Sequence, residues 1–226
     1  MPRPWNSDDV VVLFSVLAGV IALVDLVAVV RERPDIERWA KPLTVPLMGL
    51  AAISAGVLHH HAGIWLIAAV VFGALGDLAL LGDAPLGRFR LGVIAFFVGH
   101  AAYVAAFVSL GLPSPGWSGV SVGILLVLLW ATRHLLPTAL EVDGIGLAAP
   151  LGAYSLMIGA MLITGWLTGG GLIAAGATIF ALSDTQLGRQ LTWRRFHQPH
   201  GGALLTVMVT YYLGQALLIA GVVHAL

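Results

Sequence analysis

Residues Gly63–Leu81 read GIWLIAAVVFGALGDLALL, a run whose one ionisable side chain is Asp77. A hydrocarbon layer of about 30 Å is crossed by about 20 helical residues. A stretch of this length and polarity predicts a membrane-spanning helix. The rest of the chain has the same character. Of 226 residues, 59% are apolar and 10% charged, and the mean hydropathy is +0.96. A soluble globule carries roughly 25% charged residues to cover its surface, so soluble, disordered and collagen-like classes are excluded. The absence of Cys removes thiolate catalysis, iron–sulfur clusters and disulfides. With zero net charge and no basic run, nucleic acid is not an expected partner.

Working outward, apolar runs bounded by charge, Gly or Pro predict an all-α, polytopic bundle of eight spans in a single transmembrane domain covering residues 1–226. The expected spans are Val10–Val30, Pro42–Leu58, Gly63–Leu81, Leu91–Leu110, Gly119–Leu136, Leu147–Leu167, Gly171–Leu187 and Gly202–Val223. The first lacks a basic region before it and a cleavage site after it, so it reads as a retained span. Gly169-Gly170-Gly171 lacks the Lys-Ser/Thr of a phosphate loop and reads as a turn. A parallel 4+4 repeat is suggested by Asp77 and Asp184, 107 residues apart, and Pro42-Leu43 and Pro150-Leu151, 108 apart. Each acid follows a Phe and a small residue and precedes a basic loop.

Short cytoplasmic loops retain Lys and Arg. Ten of the eleven basic residues fall near the loops after spans one, three, five and seven; Arg3 is the exception. Both termini are therefore expected outside the cytoplasm, with the odd-numbered loops inside.

An ionisable group within a span costs about 2.5–3.5 kcal/mol on insertion scales and demands an explanation. Three acids lie within spans: Asp25, Asp77 and Asp184. Asp25 has Arg31 and Arg33 close after it and reads as a structural acid. Asp77 shares a helical stripe with Gly73 and Gly76, and Asp184 with Gly176 and Ser183. Small residues let helices approach closely in lipid, which turns both stripes inward. His100, Tyr154, Tyr211, Lys41 and His200 fall in the same, inner half, which predicts one polar chamber open to the inner leaflet; Tyr103 shares the His100 stripe. His59-His60-His61 reads as a solvated outer loop. His197 and His200 are separated by a helix-breaking Pro199 and have no third ligand, so no metal is expected.

Lys41-Pro42-Leu43, Gly76-Asp77-Leu78, Phe89-Arg-Leu-Gly92 with Phe96, His100 and Tyr103, and Phe180-Ala-Leu-Ser183-Asp184 occur in this order from Lys41 to Tyr212. As an ordered set they resemble the YhhN-like lysoplasmalogenase family of integral membrane proteins. The resemblance implies an eight-helix membrane hydrolase that cleaves the vinyl ether bond of lysoplasmalogens, releasing a fatty aldehyde and glycerophosphoethanolamine or glycerophosphocholine. It implies that Asp77 and Asp184 are the catalytic pair. Lys41, His100, Tyr103, Tyr154, Ser183 and Tyr211 would bind substrate or support them.

Such chemistry requires an acid that keeps its proton near neutral pH and a carboxylate that stabilises an oxocarbenium ion and activates water. Glycosidases meet the same demand with two carboxyl groups. No metal or cofactor is called for; the partners are a lysophospholipid and the bilayer, with a bacterial inner membrane expected from the composition. Which aspartate is the acid stays open at this level. The competing reading is a small proton-coupled transporter that uses the same carboxylates.

Overall fold

The computed structural model describes residues 6–82, 86–193 and 201–226, side chains excepted at 189–193 and 201–203. Arg194, Arg195, His197 and His200, and the side chain of Arg189, fall outside them. All regular structure among the described residues is helical. The α-helices are α1 (Ser7–Val30), α2 (Pro34–Ser54), α3 (His61–Ala79), α4 (Leu86–Leu110), α5 (Ser118–Ala131), α6 (Leu135–Asp143), α7 (Ile145–Leu167), α8 (Gly171–Trp193) and α9 (Gly201–Ala225). Five of these, α1, α3, α4, α7 and α9, are each long and apolar enough to cross a membrane, and α5 with α6 makes a sixth if the bent pair is one span. The chain is an integral, multi-pass membrane protein.

Eight crossings are not reached by length and composition. Helix α2 carries Asp35, Glu37, Arg38 and Lys41 in its first turns, and α8 carries Ser183, Asp184 and Gln186 in its second half. Boundaries also move. Helix α2 starts at Pro34, whose fixed φ suits a first helical turn, and it absorbs Pro42 and Pro46. It ends at Ser54, before Gly56 at φ +86°, so Val57 and Leu58 belong to a 3₁₀ turn instead. The expected fifth span breaks: α5 stops at Ala131 and α6 departs at 44°. At the break Thr132 Oγ1 donates to the Leu128 carbonyl at 2.9 Å. Arg133 donates to the Trp130 carbonyl at 2.9 Å while its guanidinium covers the Trp130 ring.

Helix α1 opens with a capping box, in which the Asn6 side chain accepts from the Asp9 backbone and Asp9 accepts from that of Asn6. Its buried positions Ala18, Ala22, Asp25 and Val29 recur at one face, while Val12, Val16, Val20, Leu23 and Val27 are exposed. In a membrane protein that outer face meets lipid, where backbone groups must be satisfied within the helix. Helix α1 packs on α2, α3 on α4, α4 on α7, and α8 on α9.

The glycine stripes set how closely these pairs approach. A Cβ on Gly76 would lie 2.7 Å from the Phe96 ring, and one on Gly214 would lie 3.0 Å from the Phe180 backbone. The core includes Leu66, Tyr103, Phe107, Met161, Phe180 and Leu218, all fully buried.

Candidate active site

One end of the bundle gathers the first turns of α2, the end of α3, the start of α4, the second half of α8 and the start of α9. Between them lies a cavity of about 380 Å³, walled by Glu37, Lys41, Asp77, Phe96, Asp184 and Tyr211 among others. Two of the three intramembrane acids, Asp77 and Asp184, therefore face one chamber. Asp77 is 2% exposed and the Asp184 side chain 7%. The Asp77 carboxyl lies within electrostatic range of Lys41, Asp25 and Asp184. A buried charge is costly unless paired and hydrogen-bonded, and each acid has partners.

The Asp77 carboxyl accepts from the Tyr211 hydroxyl at 2.6 Å. That ring is placed by α9, edge-on to Phe96 and Phe180. Behind it, Gln215 hydrogen-bonds the Tyr211 hydroxyl and accepts from Tyr103 at 2.5 Å. Tyr103 is thus remote from the cavity and braces it through Gln215.

Asp184 has a different shell. Its Oδ2 accepts from the Tyr154 hydroxyl at 2.8 Å and stands 3.2 Å from His100 Nε2. His100 Nδ1 lies 2.6 Å from the Phe96 carbonyl oxygen, and its ring meets those of Tyr154 and Phe180 edge-on. Neither His100 nor Tyr154 lines the cavity; both sit behind the acid. Ser183 does line it, but its hydroxyl donates to the Val207 carbonyl at 2.9 Å. That bond ties α8 to α9.

The geometry brings Lys41, Asp77, Ser183, Asp184 and Tyr211 to the wall, His100 and Tyr154 into contact with Asp184, and Tyr103 one layer further out. Two groups, Glu37 and Tyr212, were not anticipated. Glu37 lines the mouth one helical turn before Lys41. Burial and the nearby Asp25 charge push its carboxyl up, and Lys41 acts in the opposite direction.

Asp25, fully buried, accepts from the Tyr212 hydroxyl at 2.8 Å, and its Oδ1 has no hydrogen-bond partner among the described residues. Among the described residues, neither of the arginines nearest it in sequence, Arg31 or Arg33, bonds it. Arg33 makes an exposed two-point pair with Asp35 at 2.9 and 2.7 Å, which holds the Asp35 carboxyl below its ordinary range. Arg88 donates to the Leu78 and Leu81 carbonyls, and Arg90 pairs with Asp143. The adjacent tyrosines Tyr211 and Tyr212 were the available signal, since neighbours on a helix face two directions and can satisfy two acids. Among the described residues no three His, Asp or Glu side chains gather where a metal could sit.

Fold and site together define a multi-pass membrane protein with a two-carboxyl chamber. The chain belongs to the YhhN family, whose model matches residues 36–222. It is similar to lysoplasmalogenase TMEM86B of Homo sapiens, 32% identical over 213 residues, with 83% of this chain and 87% of the relative covered. The Mus musculus protein of the same name is 31% identical over 177 residues, with 77% and 70% covered. No solved structure matches.

Proposed function

We propose that this protein hydrolyses the vinyl ether bond of lysoplasmalogens, giving a fatty aldehyde and glycerophosphoethanolamine or glycerophosphocholine. The observation that carries the reading is the single cavity walled by both Asp77 and Asp184, in a chain whose relatives are named lysoplasmalogenase. Its size falls in the range of small-molecule sites, suited to the glycerophosphate end of a lysolipid while the chain lies among lipid-facing helices. Lys41 at the mouth is the phosphate partner, since Arg90 is held by Asp143.

One carboxyl, protonated, transfers its proton to the β-carbon of the enol ether, and the ether oxygen's lone pair makes the oxocarbenium ion. The other, as carboxylate, stabilises that cation and takes a proton from the attacking water. It then protonates the glycerol oxygen as the hemiacetal collapses. The hemiacetal hydroxyl returns a proton to the first carboxyl, so both acids end as they began. A water-poor chamber strengthens both electrostatic contributions.

The same proposal has eight crossings, with α2 and α8 each passing the bilayer despite their polar ends. Support comes from the placement of those polar turns at the cavity end, where Lys41 and Asp184 face protein. It also has the termini outside the cytoplasm and the cavity toward the inner leaflet, since the basic loops cluster at that end. A 4+4 repeat is supported by the matching pairs α3 on α4 and α8 on α9.

Purified protein in detergent, given a lysoplasmenyl lipid, is expected to release aldehyde. Asp77→Asn and Asp184→Asn should each lose at least a hundredfold in kcat while remaining monodisperse. Full activity in either variant removes that residue from the chemistry. Uptake into proteoliposomes without aldehyde formation would replace hydrolysis by transport.

A further inference from the structure

The hydrogen-bond geometry around His100 restricts where protons can sit. A carbonyl oxygen only accepts, so the 2.6 Å contact between Nδ1 and the Phe96 carbonyl requires the ring's proton on Nδ1. A neutral imidazole then has a bare lone pair on Nε2. That nitrogen stands 3.2 Å from Asp184 Oδ2, in a pocket where His100 is 1% exposed. A bare lone pair facing an ionised carboxylate without water between them is unfavourable. The contact becomes attractive when one further proton is present, either on the carboxyl or on Nε2. Catalytic contacts of this kind are often long before substrate arrives.

The surroundings agree with this count. From α7, Tyr154 gives its hydroxyl proton to the same Oδ2, and from α8 the Phe180 ring closes the other side. Of the other ionisable groups on helices packed against α4, Asp77 on α3 and Tyr211 on α9 line the chamber and bond each other. Tyr212 bonds Asp25, and His61 and His224 lie at the far ends of α3 and α9. The Asp77 carboxyl has Lys41 in electrostatic range and, among the described residues, no imidazole beside it. Each acid has one tyrosine hydroxyl donor; beyond that, Asp184 has an imidazole beside it and Asp77 a cation in range.

We infer that His100 is a positioning residue that holds a shared proton on Asp184, which makes Asp184 the acid that protonates the alkene and Asp77 the carboxylate that receives water's proton. The inference rests on the hydrolase reading and assigns the two roles that reading leaves open.

The test is the pH dependence of kcat in wild type and His100→Gln, in which an amide donor remains but no titrating ring. With no ring to share the proton, Asp184 should lose it more readily, and the alkaline limb should move to lower pH. At neutral pH kcat should fall at least tenfold, with KM within twofold. A uniform loss of activity with the limb in place would overturn the assignment.

A second measurement does not need turnover. In ¹⁵N-histidine-labelled protein, one imidazole should carry its proton on Nδ1, with an Nε2 signal that Asp184→Asn alters. An Nε2-protonated neutral tautomer at His100 would refute the inference even if the variant failed to fold. Absence of aldehyde release by the wild type, with the ¹⁵N signature intact, would instead count against the hydrolase reading while leaving the proton-sharing pair in place.

Discussion

Tyr211 spans 134 residues of sequence to reach Asp77, and its removal isolates the two halves of the site's polar shell. Hydrogen bonds to charged groups contribute about 1.5–3 kcal/mol. Tyr211→Phe is therefore expected to lower kcat by about ten- to a hundredfold with KM little changed, measured by aldehyde release. Its neighbour behaves differently. Tyr212→Phe strips the hydroxyl from Asp25, which already has one oxygen unpartnered. The expected result is a fall in thermal stability of about 1–3 kcal/mol, seen as a lower Tm, with kcat per folded molecule within twofold. The two acids and their inward direction were legible from sequence, because an uncompensated carboxyl in a span is itself a signal and the glycine stripes give its facing. The partners were less legible. Arg31 and Arg33 are nearest to Asp25 in sequence, but a helix end held by an exposed Arg33–Asp35 pair cannot reach back into the bundle.

At the scale of helices, close approach is what the glycines enforce. Gly214→Ala sets a methyl group against the Phe180 backbone, which cannot rotate aside, so α8 and α9 must separate. A loss of about 1–3 kcal/mol is expected, read as a lower melting temperature in detergent. Gly19→Ala is the control: a Cβ there meets nothing within 4 Å, and Ala favours the helix by about 1 kcal/mol, so stability should hold or rise. Apolar run length foretold a helix at each expected span but not α6, most of which falls in the loop expected between Leu136 and Leu147. The ends were not legible, because Pro34 can begin a helix as well as interrupt a loop. Pro42 and Pro46 show the same ambiguity within α2. The break at 131–135 was also hidden, since Thr132 and Arg133 close it through local bonds to carbonyls that hydropathy does not register.

For the whole molecule, the absence of Cys makes orientation directly measurable. Arg31→Cys should react with an impermeant maleimide only from the cytoplasmic side, and His60→Cys, on the exposed turn after α2, only from outside. The reverse pattern would invert the proposed topology. The bundle's order of assembly also follows from where its polar partners reside. Asp25 and Asp77 enter the bilayer on α1 and α3, but the hydroxyls that bond them arrive on α9, synthesised well after both. Until translation reaches that point, two carboxyl groups are embedded without their mates. A ribosome stalled before residue 201 would leave a polypeptide that the quality-control machinery of the membrane should degrade, and co-expression of α9 as a separate peptide should rescue it.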